Sequence, residues 1–218
     1  MEKNYKLTIA YDGTRFFGWE RQPDRETIQG KLESVLEKLN GTSVDVIGAG
    51  RTDAGVHARA MVASVRLDVK ESCEEIRDYM NRYLPDAIAV REVKEAGERF
   101  HARYNAIGKT YRYTCFVGDV KPVFDRRYVT MLDYDVDVEK MRQAAAILTG
   151  EHDFRSFCGK EVWRSLCSAH AGRDSSVCKR DAFGRRQNDP RVGFPYKIRR
   201  DGNHGYGRGR PGTCQAAA

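Results

Sequence analysis

The hydrophobic period of this chain alternates between two and 3.6 as far as Val93, and that succession constrains the fold more than any other feature. Residues Lys6 to Tyr11 alternate apolar and polar and read as a strand, closed by the turn dipeptide Asp12-Gly13. From Thr27 to Asn40 the apolar residues Ile28, Leu32, Val35, Leu36 and Leu39 keep helical spacing, and Asn40-Gly41 supplies the stop. Two strands are predicted next, Val44–Ile47 and Ala60–Val69, the second carrying Met61, Ala63, Val65, Leu67 and Val69 in alternation. The loop between them, Gly48–Ala58, has neither period. Ser72 and Glu75 form a capping box that opens a helix bearing Ile76, Tyr79, Met80 and Tyr83. Leu84-Pro85-Asp86 ends it, and Ala87–Val93 is the fourth strand. The order β-α-β-β-α-β predicts an α+β fold of the ferredoxin-like, split βαβ kind: an antiparallel sheet with two helices on one face.

The second half starts in the same way. Lys109–Val117 reads as a strand, and Asp137 is placed to cap a helix with Val138, Met141, Ala145 and Leu148, with Gly150 at its C-terminal end. Val162–Ala169 and Val192–Ile198 supply two more candidate strands, but a second helix and a fourth strand are missing. The expectation is therefore two ferredoxin-like halves, the second incomplete. Their bounds are 1–102 for the first half with its glycine-rich loop, 103–171 for the start of the second, and 172–218 for a basic tail. Leu166 is the last leucine, and beyond Ile198 no Ile, Leu, Val, Met or Phe occurs. Asp201–Gly212 is rich in Gly and Arg with nothing to bury, which predicts disorder there.

Charge has the same geography. Eleven of the 38 Lys and Arg, but only four of the 31 Asp and Glu, lie between Gly172 and Ala218. The preceding residues hold 27 of each, so the net charge of +7 belongs to the tail and says little about the partner of the body. No apolar run reaches the ~18 residues of a membrane span, and Met1 to Lys6 is polar where a signal peptide would be apolar, so the expectation is a cytoplasmic protein without a membrane. The six cysteines, Cys73, Cys115, Cys158, Cys167, Cys178 and Cys214, show no CxxC pair and no histidine at zinc spacing, so no metal is expected.

The chemistry is concentrated in the loop Gly48 to Ala58. Glycines 48, 50 and 55 allow tight backbone geometry around Arg51, Asp53 and His57. A carboxylate beside a guanidinium stays ionised, which suits a nucleophile or a general base. On spacing alone, an Arg and an Asp in a glycine-rich turn are more often structural than catalytic.

Gly50 to His57, reading GRTDAGVH, resembles the signature of the tRNA pseudouridine synthase A family. Other segments resemble that family in its own order. Tyr11-Asp12-Gly13 with Phe17-Gly18-Trp19 and Arg21-Gln22 is similar to its YDG…YxGWQRQ opening, and Thr27-Ile28-Gln29 with Leu32-Glu33 to its TVQ…LE helix start. Phe100-His101-Ala102-Arg103 and Lys109 to Tyr113 are similar to FHAR…YRY, and Gly150 to Phe154 with Ser156-Phe157 to G-x-HDF-x-SF. The resemblance implies isomerisation of uridine to pseudouridine in the anticodon stem-loop of tRNA, by a homodimer, without metal or nucleotide cofactor. It implies that Asp53 is the catalytic carboxylate, acting either as nucleophile on the sugar or as base toward a glycal. Arg51 would hold that carboxylate and help displace the base from its stack, and Tyr111 would stack on the target uracil. His57, His101, Arg103 and Lys109 fall on segments that line the RNA cleft in the family. Trp19 and Phe17 are read as packing.

Beyond Phe157 the resemblance weakens. Val162-Trp163-Arg164-Ser165 is similar to the next strand, and Gly172–Arg191 matches nothing. Gly193 to Arg199 is a defective copy of the family segment GFLYNMVR, with Pro195 in place of leucine and one residue lost before Arg199, the candidate partner of Asp53. The hypothesis is a coding frame that shifts near residue 172 and again near 198, and a gene sequence that encodes this tail sensibly in one frame excludes it. Loss of that segment motivates a second reading, a catalytically impaired tRNA-binding protein, and a third, a product that does not fold stably.

Overall fold

The computed structural model describes residues 1–153 and, beyond them, the backbone of three strands at 168–171, 191–199 and 214–217. Two compact units emerge, Met1–Ala106 with Ala216–Ala218, and Ile107–Gln215. The chain is a mixed α/β protein whose first unit is built on an antiparallel sheet.

In the first unit, β1 (Lys3–Tyr11), α1 (Ile28–Asn40), β2 (Ile47–Gly48), β3 (His57–Leu67), α2 (Cys73–Tyr83) and β4 (Ile88–Ala96) follow in the expected succession. β1 lies between β4 and β3, and β2 pairs with β3, all antiparallel. Tyr5, Leu7, Ile9 and Tyr11 of β1 share one face and are buried, with Met61, Ala63, Val65 and Leu67 of β3 beside them. Two bulges keep this face apolar. The β1–β4 register slips between Thr8 and Ile9, so that Val90 and Val93, three residues apart, are both buried. The β1–β3 register slips between Ile9 and Tyr11, with Ala58 and Met61 buried in the same way.

Ile28, Leu32, Val35 and Leu36 of α1 and Ile76 and Met80 of α2 complete one core with the sheet. The Gly41 stop and the Ser72–Glu75 box operate as expected, and Thr27 adds a start signal. Thr27 caps α1 through Gly30 N, Gly41 ends it in the left-handed region at φ 76°, and Ser72 and Glu75 form the reciprocal box on α2. The capping hydrogen bonds from Ser72 hold the Glu75 carboxyl below its ordinary range.

The second strand differs from expectation. Residues 44–46 stay outside the ladder because Val46 N–H donates to the Glu33 carboxylate on α1, at 3.2 Å, instead of to a neighbouring strand. Glu33 is itself buried and also accepts from Gln29 Nε2 at 2.8 Å. The third strand begins at His57 rather than Ala60, and stops at Leu67 where Asp68 N–H turns to Asn40 Oδ1.

In the second unit, β5 (Gly108–Val117) pairs antiparallel with β9 (Arg191–Arg199) and parallel with β6 (Thr130–Leu132). α3 (Val138–Ile147) is capped by Asp137 as expected, its side chain accepting from Glu139 N and Lys140 N. Gly150 is not the terminal residue of that helix. Leu148 caps it, and Gly150, at φ 115°, opens β7 (Gly150–Asp153), which pairs with β8 (Ser168–Ala171). A last strand, β10, spans Cys214–Ala217. Of the candidate strand at 162–169, only the last two residues fall within β8, and residues 162–167, like the unmatched stretch 172–190 and the Gly/Arg segment, lie outside the described residues.

Among the described residues no helix is long and apolar enough to cross a membrane, and no group of three or more His, Cys, Asp or Glu stands together. Burial pushes the Cys115 thiol up, away from reactivity. Leu36, fully enclosed in the core, sets the scale of the packing. Leu36→Ala is expected to lower unfolding free energy by about 2–5 kcal/mol in denaturant titration, whereas Leu39→Ala, at the margin of the core, should cost less.

Candidate active-site loop

The loop between β2 and β3 is held against the segment that follows β1 by contacts that leave no room for a Cβ. A Cβ on Gly13 would stand 1.9 Å from Val56 O, and one on Gly18 2.5 Å from Thr52 O. Gly18 also sits at φ 88°, where side chains are strained. Across this approach, Trp19 N–H donates to Thr52 O at 2.9 Å and Gly55 N–H to Phe16 O at 3.2 Å. The Tyr11 hydroxyl meets Thr52 Oγ1 at 2.9 Å in a buried contact. Gly48 matters for another reason. Its missing side chain admits the Trp19 indole, and a Cβ there would lie 2.6 Å from the ring.

Asp53 lies on the outer part of this frame. Its carbonyl accepts from Val56 N–H at 3.2 Å and closes a turn, while the residue itself is exposed. The result is a solvent-accessible carboxylate on a backbone tied down on both sides. Arg51 forms an ion pair with Glu20. Its Nη2 lies 2.5 Å from Glu20 Oε1, and both side chains are partly exposed. Glu20 stands where the opening motif quoted above has glutamine, and sequence reasoning passed over it.

His57 faces inward, with only 3% of its surface exposed. Its Nδ1 lies 3.1 Å from Gly13 N and 3.0 Å from Asp12 Oδ1. One nitrogen serves one partner at a time. A ring protonated only on Nε2 accepts from the Gly13 amide, and a ring protonated on Nδ1 donates to Asp12. Either bond ties the start of β3 to the turn after β1, so His57 acts on the loop and not on solvent. Trp19 is packed as expected, but Phe17 is half exposed, with the Arg25 guanidinium 4.5 Å from its ring centre.

His101 and Arg103 stand on the turn that follows β4, in the same unit as Asp53. The turn is pinned by Ala102 N–H, which donates to Ser64 Oγ on β3 at 3.2 Å. Lys109 and Tyr111 belong to the second unit and share one face of β5. Tyr111 pairs in register with Tyr196, and Arg199 with Gly108. Thr52, Gly13 and Gly18 are the positioning residues that the sequence signalled least. Gly13 was visible only in a turn dipeptide and Gly18 only within the opening motif, and the close approach that requires them is a tertiary fact.

A family model described as tRNA pseudouridine synthase matches residues 7–105, which include the whole loop and its frame. The chain is 46% identical over 155 residues to tRNA pseudouridine synthase A of Bacillus sp. (strain KSM-64), covering 71% of this chain and 64% of the relative. It is 44% identical over 155 residues to tRNA pseudouridine synthase A 2 of Bacillus anthracis, covering 71% and 63%. It is 43% identical over 163 residues to tRNA pseudouridine synthase A of Geobacillus sp. (strain WCH70), covering 74% and 66%. The chain belongs to the tRNA pseudouridine synthase A family. The match spans just under two thirds of the length of these curated relatives.

The glycine frame makes a direct comparison possible. Gly18 and Gly55 both sit at positive φ, but nothing lies within 4 Å of a Cβ on Gly55. Gly55→Ala should cost only the left-handed strain of about 1–3 kcal/mol. Gly18→Ala should cost more, because Thr52 O must also move, and thermal unfolding of the two variants side by side measures the difference.

Proposed function

We propose that this chain converts uridine to pseudouridine in tRNA, with Asp53 as the catalytic carboxylate. The observation that carries this reading is an exposed carboxylate on a loop immobilised by Gly13 and Gly18, inside the segment that matches the family. The reaction breaks the N1–C1′ bond, turns the uracil and joins C5 to C1′. The C5 hydrogen is lost to solvent and N1 gains one, so atoms and oxidation state balance without a cofactor. Asp53 would either attack the sugar covalently or remove a sugar proton toward a glycal. A rigid loop suits both roles, because the carboxylate needs no reorganisation when substrate arrives.

Arg51 would help displace the base, at a cost of a few kcal/mol in lost stacking. Tyr111 would stack on the uracil, and His101, Arg103 and Lys109 would meet RNA, with His57 supporting the loop. Arg199 remains the candidate partner of Asp53. We further infer the anticodon stem-loop as target, a homodimer, the cytoplasm as compartment and two ferredoxin-like halves divided near residue 102. The strand order β4-β1-β3-β2 supports that reading of the first half. A second reading, tRNA binding without turnover, is favoured by the extent of the match, which leaves out over a third of the Bacillus relative's length.

Tritium release from tRNA labelled at uridine C5 separates the two. The parent chain should release tritium and Asp53→Ala should fall to background while still binding tRNA. Binding without release from either chain would overturn the catalytic reading and leave the second. Glu20 adds a further expectation, because its carboxylate competes with RNA phosphate for Arg51. Glu20→Gln should tighten tRNA binding about two- to fivefold, the scale of an exposed ion pair, in a titration at low salt.

A further inference from the structure

The turn that follows β4 pairs His101 with a tyrosine, Tyr104, that no step above uses. The His101 and Tyr104 rings lie 4.1 Å apart between centres, tilted by 30°, and Tyr104 is 68% exposed. An exposed tyrosine normally samples several rotamers, but this one rests on a ring that is itself fixed. His101 N–H donates to Asn105 Oδ1 at 2.8 Å, and Asn105 N–H returns to His101 O at 2.9 Å. Tyr104 N–H donates to His101 Nδ1 at 3.2 Å, which orients the imidazole beneath the phenol. Buried Ala102 anchors the whole turn to β3 through Ser64. The site is therefore an apolar ring face, supported from behind, with Arg99 exposed before the turn and Arg103 within it.

We infer that Tyr104 is a stacking platform for an unpaired nucleobase of the RNA substrate, with His101 as the residue that positions it. This rests on the reading of the chain as a tRNA-binding protein. A planar base is the occupant the chemistry selects. A large flat π-face covers the ring without needing a hydrogen-bond partner, and the neighbouring guanidinium groups complement the phosphates that accompany a base. Because the ring rests on an imidazole that hydrogen bonds hold in place, stacking costs little side-chain entropy. A paired base has both faces covered in its helix and cannot use the platform, so Tyr104 discriminates for looped RNA over duplex.

The test measures binding of a tRNA stem-loop hairpin and of a fully paired RNA duplex of equal length, by fluorescence anisotropy. The proteins are the parent and the variants Tyr104→Ala, Tyr104→Leu and Tyr104→Phe. Ala and Leu should each weaken hairpin binding about five- to a hundredfold, Phe should stay near the parent, and duplex binding should not change. The Leu variant keeps apolar bulk and so guards against a folding defect in Ala. Hairpin binding equal to the parent in both Ala and Leu overturns the platform, as does an equal loss in Phe, or a parallel loss on duplex. A parent that binds neither RNA overturns both this inference and the functional reading on which it rests. A parent that binds the hairpin while its Ala and Leu variants are unaffected sinks the platform alone.

Discussion

The first unit depends on one close approach, between the backbone after β1 and the loop before β3. Val56 O and Thr52 O stand where Cβ atoms of residues 13 and 18 would be, so only glycine permits the contact. Once made, it is locked by the hydrogen bonds of Trp19 and Gly55 and by the buried meeting of Tyr11 with Thr52. The same approach brings Trp19 over Gly48 and encloses the end of the core. The backbone segment that shuts the core also carries Arg51 and Asp53 to the surface.

Around that contact the polar residues divide by burial. His57 and Glu33 look like surface groups by type, yet both are enclosed and each reaches a main-chain amide, that of Gly13 and that of Val46. A buried carboxylate or imidazole without such partners would be costly, and each here fixes a segment that has no ladder of its own. Asp53, Arg51 and Glu20 stay in reach of water. Within the loop Gly48–Ala58, His57 is thus turned inward while Arg51 and Asp53 face water.

The second unit is organised differently. β5 takes partners on both sides, antiparallel β9 and parallel β6, and its side chains are mostly half buried. α3 has a good cap but buries none of its residues. A helix that hides no face draws little stability from packing, so among the described residues of this unit backbone pairing contributes more than in the first.

The sequence by itself determined the local elements whose signals lie within one or two turns of chain. The Thr27 cap, the Ser72–Glu75 box, the Gly41 stop and the alternation in β1 and β3 are short-range preferences, and they operate where the pattern places them. It also singled out Gly50–His57 as the candidate site, because its motif resembled a family that the comparisons then bore out. Only the tertiary structure decided that residues 44–46 leave the ladder, that His57 turns inward, and that Arg51 meets Glu20. Each depends on a partner between 13 and 44 residues away in sequence. Such contacts have no local period to announce them. They exist because the closed core brings distant backbone together, and it is that closure, set by which side chains are absent at Gly13, Gly18 and Gly48, that holds the glycine-rich loop in place.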